Sequence, residues 1–68
     1  MKLYFQNYKG EERLIADVDS EDEAIMRIKK FCSDRDFTIP YWRNWGYLDS
    51  DGVTYDVGSH TEFFKLRR

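Results

Sequence analysis

Cysteine, proline, glycine and histidine are all scarce in this chain, which has one Cys, one Pro, four Gly and one His among 68 residues. A lone cysteine, Cys32, excludes an internal disulfide and a cysteine-based zinc knuckle, and fits a reducing cytoplasm. No apolar run approaches the roughly 18 residues needed to span a bilayer, so no membrane partner is expected. The opening Met1-Lys2-Leu3-Tyr4-Phe5-Gln6-Asn7 turns polar too early for a signal peptide. There is no glycine-rich phosphate loop. Asp49-Ser50-Asp51-Gly52 begins like a calcium loop but lacks its length and its later acid, so no cofactor and no metal are expected.

Large aromatics are what the chain has in quantity: five Tyr, five Phe and two Trp. Each can bury about 150–250 Å². A chain this short makes one domain, and a single small core cannot enclose all twelve. Some aromatic surface is therefore expected to face solvent or a partner. The charge is mixed, with 11 Lys and Arg against 13 Asp and Glu, for a net charge of −2.

Periodicity predicts the elements. Residues 2–8 alternate, with Leu3 and Phe5 on one side and Tyr4, Gln6 and Tyr8 on the other. Lys9-Gly10 then turns the chain. Residues 12–18 form a second strand, with Leu14, Ala16 and Val18 on one face and Ile15 and Asp17 opposite, closing a β-hairpin. Ser20-Glu21-Asp22-Glu23 has the spacing of a capping box. Ala24, Ile25, Ile28, Phe31 and Cys32 follow as one apolar stripe, predicting a helix over 21–33 and a small buried role for Cys32. Residues 34–40 connect to strands at 41–48 and 53–57, which flank a turn at 49–52. Residues 62–67 read as a fifth strand, although Ser59-x-x-Glu62 also has the spacing that starts a helix. The order β-β-α-β-β-β makes an α+β fold: a small antiparallel sheet with one amphipathic helix on one face. The other sheet face must meet solvent or another molecule.

Two groups of residues are candidates for function. The first is acidic: Glu11, Glu12, Asp17, Asp19, Glu21, Asp22 and Glu23, with Arg13 the one base in the stretch. Asp19 to Glu23 suit the positive end of a helix, whereas Glu11, Glu12 and Asp17 need another explanation. An anionic patch can occupy a basic groove on another protein and speed its approach. The second group is Tyr41, Trp42, Arg43, Trp45, Tyr47 and Tyr55, of types enriched at interface hot spots. Those aromatics also suit stacking of unpaired bases beside Arg27, Lys29, Lys30, Arg35 and Arg43. The negative net charge disfavours nucleic acid as a partner. His60, in Gly-Ser-His-Thr, reads as a loop residue bonded to backbone. Nothing pairs it with Cys32 for catalysis, so an enzyme is not expected.

At Asp56-Val57-Gly58-Ser59-His60-Thr61-Glu62-Phe63-Phe64 the chain resembles short proteins carried by phages and prophages of Gram-positive bacteria. The Met1-Lys2-Leu3-Tyr4-Phe5 opening, the hairpin, the acid-capped helix and the aromatic strands are similar in order. The resemblance implies a setting in which small acidic proteins disarm host defences, anti-CRISPR proteins among them, and it transfers no functional residue. The expected function is therefore a protein-binding inhibitor that lays its acidic and aromatic surface over a basic groove on a host protein. Two alternatives are a single-stranded nucleic-acid binder and a structural homodimer closed by the aromatic face.

Overall fold

A computed structural model describes residues 1–46, 52–59 and 61–68. It has the expected α+β architecture. The elements are β1 (Lys2–Gln6), β2 (Glu12–Asp17), α1 (Glu21–Asp34), β3 (Arg43–Gly46), β4 (Gly52–Asp56) and β5 (Phe63–Arg67). The strands form one sheet in the order β2-β1-β5-β4-β3, every neighbour antiparallel. The two hairpins therefore meet across β5, which pairs with β1 on one side and β4 on the other. The calcium-like turn at 49–51 and His60 lie outside the described residues.

One face of the sheet carries the core. Leu3 pairs with Leu66, Phe5 with Phe64, and Phe64 with Tyr55, so the inward side chains of three strands fall in line. The helix stripe meets them: Ala24, Ile28 and Cys32 are buried, and Ile25 and Phe31 pack at the margin. Ser20 caps the helix, its Oγ accepting from Glu23 N–H at 3.2 Å. The Glu23 carboxylate returns not to Ser20 but one residue earlier, accepting from Asp19 N–H at 3.0 Å.

The helix ends in a Schellman motif. Asp36 N–H reaches Ser33 O at 3.1 Å and Phe37 N–H reaches Cys32 O at 2.9 Å. Asp36 holds the left-handed conformation this requires (φ 55°), a place more often taken by glycine. The motif folds Phe37 back over the last turn. Beyond it, Tyr41 Oη–H donates to the buried Asp56 carboxylate at 3.1 Å, and Asp56 also accepts from Gly58 N–H at 2.9 Å. Gly58 (φ 95°) lies against the Pro40 ring, where a Cβ would collide with ring carbons.

Three sequence expectations change. The first strand stops at Gln6, and Tyr8 belongs to the turn rather than to an alternating face. Asn7 breaks the strand because its Oδ1 accepts from both Lys9 N–H (2.9 Å) and Glu11 N–H (3.0 Å). The strand expected at 41–48 is described only over Arg43–Gly46, with Tyr41 and Trp42 still in the connection.

The third change concerns β2. Leu3 pairs with Ala16, yet Tyr4 pairs with Leu14, so a β-bulge at Ile15 reverses the alternation. Ala16 stays on the helix side and Leu14 moves to the opposite face, 49% exposed. The fifth strand is confirmed as a strand. The Ser59–Glu62 spacing nonetheless makes its capping contacts, with Ser59 Oγ accepting from Glu62 N–H at 3.2 Å, as a turn without a helix.

The two left-handed positions predict opposite outcomes. Gly58→Ala is expected to destabilise the protein by about 1–3 kcal/mol, because it adds both backbone strain and a clash with Pro40. Asp36→Gly is expected to stabilise it by about 0.5–1 kcal/mol, relieving the left-handed aspartate and removing an acid from the helix's negative end. Urea denaturation of the two variants measures both signs.

Candidate functional site

With α1 on one face, the other face of the sheet carries no described helix; at its β4 end Thr54 is buried, and at its β2 end Leu14 is half exposed. Cross-strand register arranges it in rows. One runs from Leu14 through Tyr4 and Lys65 to Thr54; another pairs Gln6 with both Glu12 and Phe63; a third pairs Lys2 with both Asp17 and Arg67. The face thus interleaves Leu14, Tyr4 and Phe63 with charged side chains, Lys65 standing next to Tyr4 in the central row.

Most of that charge is matched within the face. Arg67 Nη2 donates to both Glu12 carboxylate oxygens at 2.9 Å, with Nε adding a 3.2 Å bond to Oε1, and Lys65 Nζ lies 3.8 Å from Glu12. Glu12 therefore reaches across β1 to tie the edge strand to the middle one. Lys2 Nζ donates to Asp17 at 2.6 Å. That bond and the lysine's charge hold the Asp17 carboxyl below the usual aspartate range and push the Lys2 ammonium up. The Arg67 guanidinium stands 5.8 Å from the centre of the Tyr4 ring.

The acidic run is not one patch. Glu12 and Asp17 sit at opposite ends of β2, about 16 Å apart at the rise of a strand, and both are neutralised by lysine or arginine. Glu11 accepts from Asn7 Nδ2 at 3.1 Å in the hairpin turn. The remaining acids surround the head of α1. Glu21 accepts from Tyr55 Oη–H at 3.0 Å and Glu23 serves the cap, while Asp19 and Asp22 are exposed, with no cation in ion-pair range among the described residues.

The aromatic group is dispersed as well. Tyr55 is fully buried and belongs to the core, a correction to its candidacy as a surface anchor: its register with Phe64 turns it toward the helix. Burial, then the bond to Glu21, pushes its phenol well above the ordinary value. Trp42 is half-buried against Tyr55, ring centres 5.5 Å apart, with Lys29 Nζ 5.9 Å from its own ring centre. Tyr41 is 52% exposed and anchored to Asp56, a bond that raises its own phenol. Arg43 is exposed opposite Asp56. Trp45 occupies the register position opposite Thr54, and Tyr47 lies outside the described residues.

The basic residues named with the aromatics are equally scattered. Lys30 pairs with Asp34 at 3.6 Å, and Arg35 stacks on Phe31. Sequence reasoning missed Leu14, Tyr4 and Phe63 as a group. The alternation in 2–8 and 62–67 already put Tyr4 and Phe63 outside, but Leu14 joins them only through the bulge. Cys32 is buried as expected, and burial pushes its thiol up. Among the described residues no group of three or more His, Cys, Asp or Glu is placed to hold a metal ion. Among the described residues no helix is long and apolar enough to cross a membrane.

The Tyr55–Glu21 bond predicts an alkaline signature. The folded state keeps the phenol protonated after the unfolded chain has begun to lose its proton, so this stabilisation is complete below pH 10 and declines as pH rises above it. Tyr55→Phe is expected to cost about 1 kcal/mol at neutral pH and to flatten the alkaline decline. Thermal melts between neutral pH and the alkaline limb measure both effects.

Comparison of the chain with protein-family models, with curated proteins and with solved structures gave no match in any of the three.

Proposed function

We propose that the protein is a small non-enzymatic binding module that engages a host bacterial protein through the sheet face opposite α1. In the phage-type setting its sequence resembles, it acts in the bacterial cytoplasm, inhibiting a defence or nucleic-acid-handling protein by covering a basic groove. One observation carries the reading. A β-bulge turns Leu14 out of the core and sets it beside Tyr4, an apolar side chain half exposed on the sheet face opposite α1. Bulges that re-aim a side chain recur where strands serve a function.

The surroundings suit a protein partner. Leu14, Tyr4 and Phe63, interleaved with ion-paired Lys65, Arg67 and Glu12, combine the apolar, aromatic and charged surface found at protein–protein interfaces. Asp19 and Asp22, exposed beyond the end of β2, add the unmatched negative charge that draws in a basic surface. Nucleic acid is disfavoured on the same face. Lys2, Lys65 and Arg67 already face Asp17 or Glu12, so a phosphate would have to displace a carboxylate from each.

Leu14→Glu tests the reading. Leu14 contributes little to the core, so the variant is expected to keep its circular dichroism spectrum and melting temperature. Capture of the host protein from a Gram-positive lysate is expected to fall at least tenfold, about 1.4 kcal/mol. The double variant Asp19→Asn, Asp22→Asn is expected to slow association and flatten its salt dependence. Unchanged capture by Leu14→Glu rejects the sheet-face reading. Saturable binding of single-stranded DNA or RNA at tens of micromolar protein, in place of a protein partner, rejects it in favour of nucleic acid. A dimer in sedimentation that Leu14→Glu splits, with no host protein captured, replaces it by a structural homodimer.

A further inference from the structure

On the helix side of the sheet, at the C-terminal end of α1, lies a partly open cavity of about 140 Å³. Its walls are Phe5, Phe31, Phe64, Phe37, Val57 and Cys32, and its lining is mostly apolar. Three of the phenylalanines form a closed set: Phe5, Phe31 and Phe64 have ring centres 5.1, 5.3 and 5.4 Å apart, with Phe31 edge-on to Phe64. Such contacts fix the rings relative to one another. Phe37 closes the remaining side, held there by the Schellman motif after α1. A void of similar volume, about 150 Å³, with a comparable apolar lining accepts a benzene ring. This one is too small for a drug-sized ligand.

The rim supplies the second half of the recognition. Three side chains edge the mouth: Arg35, Ser59 and Glu62. Glu62 is engaged, its Oε1 accepting from Ser59 Oγ–H at 3.4 Å and its own N–H bonded to Ser59. Arg35 is different. Its guanidinium sits over Phe31, 3.5 Å from the ring centre, and among the described residues it makes one hydrogen bond, a 3.4 Å contact to Phe31 O. Among the described residues no carboxylate comes within ion-pair distance of it. The acids around the neighbouring groove are committed elsewhere, Glu11 to Asn7 and Glu12 to Arg67 and Lys65, and Arg13 adds a further positive charge there. Glu62 keeps its negative charge, since a hydroxyl does not neutralise a carboxylate, so the mouth sets one cation against one anion, and of the two only Arg35 presents donors to an incoming carboxylate. Arg35 retains the fork of donors that binds a carboxylate in a bidentate way.

We propose that this cavity is a binding site for a small aryl carboxylate, with the ring among the phenylalanines and the carboxylate on Arg35. The site stands on different residues from the sheet face and does not depend on the function proposed for that face.

Phenylacetate is the probe, titrated into the full protein and followed by amide shifts of Cys32, Phe37 and Ser59 and by the rate at which Cys32 reacts with a thiol reagent. Ten non-hydrogen atoms correspond to a Kd of about 1 mM. Expected are saturable shifts at those three amides, slower Cys32 modification, and at least fivefold weaker binding of the neutral phenylacetamide. Arg35→Gln should bring phenylacetate down to the level of the amide while leaving amide binding unchanged, and the amide arm thereby reports that the variant's cavity is intact. The proposal is overturned if phenylacetate does not saturate by about 20 mM. Equal binding of acid and amide overturns it, as does indifference of acid binding to Arg35→Gln. Tighter binding of benzylamine than of phenylacetate also overturns it, because Glu62 would then govern the mouth.

Discussion

The structure depends on β5 lying between the two hairpins. β1 with β2, and β3 with β4, are local pairings that the chain can form from neighbouring residues. Neither is a stable sheet by itself, since an isolated hairpin is marginal in water. Phe63–Arg67 joins them, and its register with Lys2–Gln6 brings together residues more than fifty positions apart. That closure is costly in chain entropy, and it is compensated only because the inward residues Phe64 and Leu66 become fully covered by Leu3, Tyr55 and the helix stripe. Glu12 reinforces it on the outside, where its carboxylate spans β1 to hold Arg67 and Lys65. The same strand is thus secured by apolar burial on one face and by charge on the other.

What the sequence makes legible is what local chemistry decides. The Ser20 cap, the Ala24–Ile28–Cys32 stripe and the alternation of Phe63 to Leu66 are written in residues a few positions apart, and each appears where it was read. The fold class follows, because one amphipathic helix and several short strands leave few ways to bury one apolar face each. The candidate site is less legible, for reasons of register and pairing. Leu14, Ala16 and Val18 follow a perfect alternation, and nothing in those residues announces a bulge. The bulge appears only when β1 is laid beside β2. Tyr55 has the composition of a surface anchor but the parity of a core residue. Its burial is set by Phe64 on the adjacent strand.

The acids teach a related lesson about charge. Seven carboxylates in thirteen residues look like one anionic surface, but a strand and a helix cap distribute them to different tasks. Glu12 and Asp17 are spent on ion pairs across the face opposite α1, Glu23 on the cap and Glu21 on Tyr55. Exposed pairs of this kind contribute little stability each. Their larger effect is on what can dock: they neutralise Lys2, Lys65 and Arg67 in place, and leave the unmatched negative charge at Asp19 and Asp22.

Alternation along β5 gives the molecule two separate chemistries within five residues. Phe64 faces inward and walls the cavity beside Arg35, whereas Phe63 and Lys65, one residue to either side, belong to the face opposite α1. An occupant of the cavity would press on the same strand whose other side carries the proposed binding face. The strand is pinned on that other side by Glu12, which holds Lys65 and Arg67, so any displacement of Phe64 must work against a bidentate ion pair and two ladders of backbone hydrogen bonds. The two surfaces are therefore close in sequence and back to back in space, separated by a strand with a hydrogen-bonded ladder on each side.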